Sequence, residues 1–266
     1  MSLTYTNYLK VDELLELQEP LSDGPEHDEM LFIVIHQVYE LWFKQVLHEV
    51  DHLAILFREH DPENHRTTPE IRNTLRRVLT ILKTMVAQVD ILETMTPISF
   101  GSFRDRLDQA SGFQSVQFRE LEFVLGHRDR RMIRHHRENP AASERLAKRL
   151  EEPSIYQLFL GYLARCGFEI PAEVMADLGD DPPPESQEVR DVLIHIYHQD
   201  DRLAQVCERL VDLDEGLQEW RYRHVKMVER TIGTKVGTGG SPGAGYLKKT
   251  LFQPVFPDLW TIRASL

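Results

Sequence analysis

Met30-Leu-Phe-Ile-Val-Ile-His36-Gln-Val-Tyr-Glu-Leu-Trp42-Phe43 is apolar on nearly every face of a helix, and its reading decides the fold. It lies within residues 26–59, a stretch with neither glycine nor proline. Apolar residues recur there at three- and four-residue steps: Leu31, Val34, Val38, Leu41 or Trp42, then Val46, Val50, Leu53 and Phe57. That period predicts one long helix. A helix apolar all round belongs in the middle of a bundle or at a subunit contact.

Helical periodicity continues outward from this segment. A second long helix is predicted over about 69–95, with Thr68 as N-cap and Pro69 in its first turn. Its stripe is Ile71, Leu75, Val78, Ile81, Leu82, Met85, Val89 and Leu92. Shorter helices are predicted at about 112–126, 139–150, 155–166 and 184–211. A last long one covers about 214–232 and stops at Gly233, a residue suited to a helix C-terminus. Period-2 segments bounded by turn residues are almost missing, so the fold class is all-α, without significant sheet. Pro182-Pro183-Pro184 marks a rigid connection between helices, and Gly237-Thr238-Gly239-Gly240-Ser241-Pro242-Gly243 an irregular loop. No internal repeat is visible, and residues 1–266 are expected to form a single domain with one continuous core.

Composition narrows the functional classes. The chain has 266 residues, 41% of them hydrophobic, enough for a sizeable core without disulfide or metal staples. Disorder and fibrous repeats are excluded. Acidic residues outnumber basic ones, 43 to 31, for a net charge of −12, which argues against a partner recognised by its phosphate backbone. Cys166 and Cys207 are the only cysteines, so there is no disulfide framework, and reduced thiols fit the cytoplasm. The longest apolar run is six residues, against about 18 for a membrane span. The first residues show no basic segment followed by an apolar one, so no signal peptide is expected.

Several motifs carry possible chemistry. His48-Glu49-Val50-Asp51-His52 fits the H-E-x-x-H pattern that sets two imidazoles around zinc with Glu as general base. The alternative is a charged outer helix face, since Asp51 breaks the apolar packing of such sites and no third ligand is suitably spaced. His195 and His198 share a helix face, among Asp200, Asp201 and Arg202. His135-His136 lies in a basic run with Arg130, Arg131, Arg134 and Arg137. The glycine loop could cradle a small anion with its backbone N–H groups, close over a pocket as a hinge, or simply be a surface loop. It lacks the G-x-x-x-x-G-K-[ST] order of a nucleotide-phosphate site.

Two further histidines stand out. His36 sits in the most apolar stretch of the chain, where an imidazole must find partners or stay neutral. His224 sits in Trp220-Arg221-Tyr222-Arg223-His224-Val225, inside the last long helix. Each could be a hydrogen-bonded core residue, and a lone helical histidine facing a pocket is also an ordinary axial ligand for haem iron.

Taken in order, the blocks of the chain resemble the tryptophan 2,3-dioxygenase family. They are Leu3-Thr4-Tyr5, Phe32-Ile-Val-Ile-His36-Gln-Val-Tyr-Glu-Leu-Trp42-Phe-Lys44, Leu92-Glu-Thr-Met-Thr96-Pro and Phe103-Arg104-Asp105. Ala110-Ser-Gly-Phe-Gln-Ser115, Trp220-Arg-Tyr-Arg-His224 and Gly237-Thr-Gly-Gly-Ser241 complete them, over essentially the whole chain. The resemblance implies an all-helical, cytoplasmic homotetramer that binds haem b, ferrous for activity. Its reaction inserts both atoms of O₂ across the indole C2–C3 bond of L-tryptophan to give N-formyl-L-kynurenine, the first step of the kynurenine pathway.

Residue by residue, the resemblance makes His224 the proximal iron ligand and His36 the distal histidine that meets the indole N–H. It makes Arg104 the clamp for the substrate carboxylate and Thr238 a contact to the ammonium and carboxylate end. Phe32 becomes a wall of the indole pocket, and Ser111 a small polar residue near the distal haem face. Tyr5 and Tyr8, in a 1–20 segment expected to contact a neighbouring subunit, would reach into that subunit's site; residues 233–245 form the active-site loop. Phe100 stands where the family varies between Tyr and Phe near the carboxylate. Pro242 stands where a serine is expected, and Ile35 where a polar residue is. The competing readings are a relative that oxidises a modified tryptophan or other indole, a non-catalytic haem-binding or sensor protein, and a zinc hydrolase built on His48 and His52.

Overall fold

A computed structural model of the chain describes residues 2–24, 26–59, 66–108, 110–176, 185–235, 237 and 244–266. Among the described residues there are helices and turns and no β-strand, in agreement with the all-α expectation. Two short helices, α1 (Tyr5–Leu9) and α2 (Val11–Leu15), precede the long α3 (His27–Arg58) and α4 (Thr67–Leu92). Then come α5 (Pro97–Phe103), α6 (Val116–Leu125), α7 (Pro140–Glu151), α8 (Ile155–Arg165) and α9 (Ala172–Met175). The chain closes with α10 (Gln187–Gln199), the long α11 (Asp201–Ile232), α12 (Ala244–Lys248) and α13 (Pro257–Thr261).

The local sequence explains most boundaries. Asn139 caps α7 by accepting from Ala142 N at 3.1 Å, with Pro140 in the first turn. Ser154 and Gln157 form a reciprocal capping box on α8. Gly126 ends α6 at φ 112°, a left-handed conformation costly for any residue with a Cβ. The predicted 112–126 helix is in fact a 3₁₀ turn (Gly112–Gln114) followed by α6, because the Ser115 side chain caps a fresh start.

α4 is the central beam, packed along both α3 and α11. All eight residues of its predicted stripe are buried. At one crossing Gly216 of α11 lets the two helices approach closely: a Cβ there would lie 3.4 Å from Leu79 Cδ1 and 3.5 Å from Leu82 Cδ1. Each fully buried aliphatic side chain in this interior contributes roughly 1.5–3 kcal/mol by leaving water.

Three further expectations need correction. The second long helix starts at Thr67, two residues before its predicted start, with Arg66 at the N-cap position and no side-chain cap, so Thr68 lies inside the helix and does not cap it. The helices predicted at 184–211 and 214–232 break instead at Asp200, which caps α11 by accepting from Arg202 N and Leu203 N at 3.0 and 3.1 Å. Residues 201–232 then run as one helix, because nothing around 212 interrupts its hydrogen bonds. In the first half of α3, Ile35 and Phe43 are buried, whereas Val34 and Leu41 are exposed. Pro182–Pro184 lies outside the described residues.

Candidate active site

The first half of α3 and the last half of α11 form two walls of a largely apolar cavity of about 310 Å³. From α3 come Phe32, His36, Tyr39, Glu40 and Phe43, at steps of three, four and one that keep them on one helix face. From α11 come Trp220, Arg221, His224, Val225, Met227, Val228, Thr231 and Ile232. α5 and the turns after it supply Phe100, Arg104 and Ser111, and α6 supplies Phe118, Arg119 and Glu122.

His36 Nδ1 lies 2.6 Å from the Phe32 carbonyl oxygen. A carbonyl can only accept, so Nδ1 carries the proton and Nε2 is left as the acceptor. The Phe32 and His36 rings are 4.2 Å apart, and Phe32 also packs on Phe100 and Phe103 at 5.7 and 5.6 Å. Surrounding protein pulls the His36 pKa below 6.5 by desolvation, against the opposing pull of the Phe32 carbonyl and Glu40. Glu40 is itself held by Gln117, whose Nε2 donates to its backbone oxygen and to Oε2, both at 2.8 Å.

His224 is the more strongly perturbed of the two. Desolvation first, and then the proximity of His36, press its pKa down to about 4. Both imidazoles are therefore neutral at pH 7, the state in which a ring nitrogen can bind a metal. The His224 ring stacks on Trp220 with centroids 5.3 Å apart and planes 4° from parallel. Trp220 rests in turn on Phe43, Phe118 and Tyr39, with centroids at 5.7, 5.0 and 6.3 Å. Arg104 opens the turn Arg104–Leu107 just after Phe103, whose fully buried ring anchors that end of α5. Thr96 and Pro97 start α5 by capping, with Thr96 Oγ1 accepting from Ser99 N at 3.0 Å. The Ser111 hydroxyl accepts from Phe113 N at 3.4 Å as an N-cap, which fixes it on the cavity wall.

Of the residues singled out from sequence, Phe32, His36, Phe100, Arg104, Ser111 and His224 meet at this cavity, with Gly237 at its edge. Thr238 and Pro242 lie outside the described residues. Tyr5 and Tyr8 do not line the cavity of their own chain; they stand on α1, 76% and 68% exposed. Ile35, at a position where a polar residue is expected, does not line the cavity; it packs in a core with Leu92, Met95 and Phe103, which explains its character.

The H-E-x-x-H motif does not assemble a zinc site. Glu49 is buried and accepts from Arg77 Nη1 at 3.0 and 2.9 Å, while His52 Nε2 meets Glu70 at 3.0 Å. Among the described residues no group of three or more His, Cys, Asp or Glu could hold a metal ion. Cys166 and Cys207 are free thiols. No helix among the described residues is long and apolar enough to cross a membrane.

Sequence reasoning assigned no role to Arg119, Glu122 and Arg221, which bury their charges on the cavity wall. The available signal was Arg119-Glu-Leu-Glu122 leading into the apolar Phe123-Val-Leu125, charges with no outer face to occupy.

Comparison with known proteins agrees with this architecture. The family described as Tryptophan 2,3-dioxygenase matches residues 1–169 and 187–266. A protein of Herpetosiphon aurantiacus named Tryptophan 2,3-dioxygenase is 56% identical over 265 residues, covering 100% of this chain and 99% of that one. Proteins of the same name from Anaeromyxobacter sp. (strain K) and Caulobacter vibrioides are 55% and 45% identical. They cover 100% and 99% of this chain, and 97% and 98% of their own lengths.

Proposed function

Because the chain belongs to the tryptophan 2,3-dioxygenase family, we propose that this cavity holds haem b and L-tryptophan for insertion of both atoms of O₂ across the indole C2–C3 bond. The enzyme is an oxidoreductase of the dioxygenase class, and its product is N-formyl-L-kynurenine, the opening step of tryptophan breakdown. One observation carries the reading: two neutral imidazoles, on α3 and α11, line one apolar cavity together with Arg104.

The donor set fits a haem. Half-buried His224 offers a neutral nitrogen on a rigid helix, and its stack on Trp220 restricts the ring's rotation. Arg119 and Arg221 bring two buried guanidiniums to the cavity wall against one carboxylate that they share, Glu122, a charge balance that suits an anionic cofactor. Ferrous haem, when bound, supplies the electronic chemistry that lets O₂ react with a closed-shell indole.

The chain's own residues bind and orient. L-Tryptophan presents an apolar ring, one N–H donor, a carboxylate and an ammonium. Phe32 and Phe100 form the aromatic wall, and His36 Nε2, left as acceptor by the Phe32 carbonyl, receives the indole N–H. Arg104 takes the carboxylate with a planar fork that Lys could not reproduce. Thr238 meets the amino-acid end, and Ser111 stands by the distal face. His36 orients the indole without serving as an obligatory base. Apolar walls exclude water from the reacting carbons.

The working unit in this reading is a cytoplasmic homotetramer of single all-α domains. Exposed apolar residues at the N-terminus (Leu3, Tyr5, Tyr8, Leu15 and Leu17) and on α3 (Met30, Val34 and Leu41) support a subunit contact. Tyr5 and Tyr8 would enter the site of a neighbouring copy across it.

The test is an absorption series on the reduced, haem-loaded protein in air after addition of L-tryptophan. A Soret band with growing N-formylkynurenine absorbance is the expected result. A Soret band without product would move the reading to another indole or to a haem-binding protein without oxygenase activity. No Soret band after haem supplementation would overturn it.

A further inference from the structure

We propose that Glu26, at the start of α3, is a positioning residue for Arg104: through Ser102 and Arg106 it holds the turn that presents the guanidinium to the substrate carboxylate. This rests on the assignment of Arg104 as carboxylate clamp above, and names what keeps that clamp in register with the indole pocket on α3.

Glu26 occupies the N-cap position of α3, yet its side chain makes no cap hydrogen bond. An acidic group at that end could serve the open N–H groups of its own helix. It turns instead to α5 and the turn that follows. There Ser102 Oγ donates to its Oε2, and Arg106 Nη1 stands 4.0 Å from its Oε1. The Ser102 hydroxyl also lies 2.7 Å from the Ser99 carbonyl, but it has one proton, and the charged carboxylate is the stronger acceptor. Arg106 Nη1 donates to the Ser102 carbonyl at 3.0 Å, which closes the three residues into one unit.

Spacing makes this grip specific. Ser102 precedes Arg104 by two residues and Arg106 follows it by two, so Glu26 holds the chain on both sides of the clamp. Phe103 anchors the inner side, fully buried and packed on Phe32 with ring centroids 5.6 Å apart. Ser102 and Arg106 are exposed, and polar contacts hold that outer side. The turn ends at Asp108 with φ 46°, a left-handed backbone that a residue with a Cβ keeps only where its surroundings hold it. Glu29, the other α3 carboxylate that feels Arg106, is committed elsewhere: it accepts from Leu21 N and Ser22 N at 2.7 and 3.1 Å. Glu26 is left to bridge α3 and the turn.

α3 also carries Phe32 and His36. The bridge therefore fixes the separation between the acceptor for the indole N–H and the clamp for the carboxylate. Tryptamine has the indole and the ammonium without the carboxylate, so it reports on the pocket without the clamp.

The experiment compares haem-loaded wild type with Glu26→Ala, Ser102→Ala and Arg106→Met. It follows binding of L-tryptophan and of tryptamine through the Soret band, together with steady-state kinetics. Glu26→Ala should weaken L-tryptophan binding and raise its KM about three- to tenfold, with a smaller change in kcat, the effect of one exposed ion pair and one charged hydrogen bond. Tryptamine affinity should stay nearly constant. Ser102→Ala and Arg106→Met should each reproduce part of the loss, and Glu26→Gln, which keeps an acceptor for Ser102 but no charge for Arg106, should fall between. Added to Arg104→Lys, which already lacks the fork, Glu26→Ala should cost little more. If Glu26→Ala fails to fold, Glu26→Gln and Ser102→Ala decide by the same comparison. A parallel loss for tryptamine, a full further loss in the Arg104→Lys background, or an unchanged KM would overturn the proposal. Arg104→Lys with wild-type affinity for L-tryptophan would instead remove the clamp assignment beneath it.

Discussion

Trp220 and His224 lie one turn apart on α11 with their ring planes 4° from parallel and their centroids 5.3 Å apart. The i, i+4 spacing superposes the two side chains, and Phe43 and Phe118 pack against the indole. The stack thereby sets the direction in which the imidazole faces the cavity. Trp220→Leu keeps apolar volume but loses the flat support, an aromatic contribution of about 0.5–1.5 kcal/mol. Haem should leave this variant roughly 2–10 times faster when challenged with a haem-scavenging protein. An unchanged rate would mean that the helix backbone alone orients His224.

His36 owes its acceptor nitrogen to the 2.6 Å contact between Nδ1 and the Phe32 carbonyl. His36→Ser should lower kcat/KM for L-tryptophan by roughly tenfold, the value of one buried hydrogen bond, without abolishing turnover. Complete loss of turnover with haem and tryptophan binding intact would make the imidazole an obligatory base.

Arg104→Lys preserves charge and removes the planar fork, so KM for L-tryptophan should rise by about tenfold or more. Tryptamine, which has no carboxylate, should bind the variant and the wild type equally. A matching loss for tryptamine would mean that Arg104 shapes the pocket and does not clamp the substrate.

His127 couples stability to pH. Its pKa is about 3 in the folded chain, through desolvation and then Arg221, against 6.5 for an ordinary histidine. Between those values the unfolded chain binds the extra proton. The stabilisation is complete above 6.5 and is lost as pH falls toward 3, at up to about 1.4 kcal/mol per pH unit. His127→Gln should make the fall in urea midpoint between pH 7 and pH 5 shallower than in wild type. An identical slope would show that His127 is charged in the fold.

Asp214 is fully buried and ties the C-terminal segment to α11. Its Oδ2 accepts from Val255 N, Phe256 N and Trp260 Nε1 at 2.8, 3.1 and 2.9 Å, and its Oδ1 accepts from Gln218 Nε2 at 2.8 Å. Asp214→Ala strands these donors, so unfolding free energy should drop by at least about 3 kcal/mol. Hydrogen exchange should quicken first around Val255 and Phe256. Even loss of protection along all of α11 would instead mark a global effect.

The sequence by itself determined the all-α class, the extents of α3 and α4 to within a few residues, and the complete buried stripe of α4. It did so because a polar–apolar contrast at helical period says which face must leave water. It also picked out His36 and His224, because an imidazole within or beside apolar runs is conspicuous. Only the tertiary structure decided which side of residues 30–43 is buried: Ile35 goes inward and Val34 outward in a segment apolar all round, where periodicity carries no contrast. It alone placed the break at Asp200, where one side-chain cap acts without glycine or proline, and turned Glu49 away from any zinc site toward Arg77. The Arg119–Glu122–Arg221 cluster was equally hidden, since its long-range ion pair joins residues 99 positions apart. Local periodicity reports on a helix and water; the pairing of buried charges depends on which helices pack together, and that is a property of the whole fold.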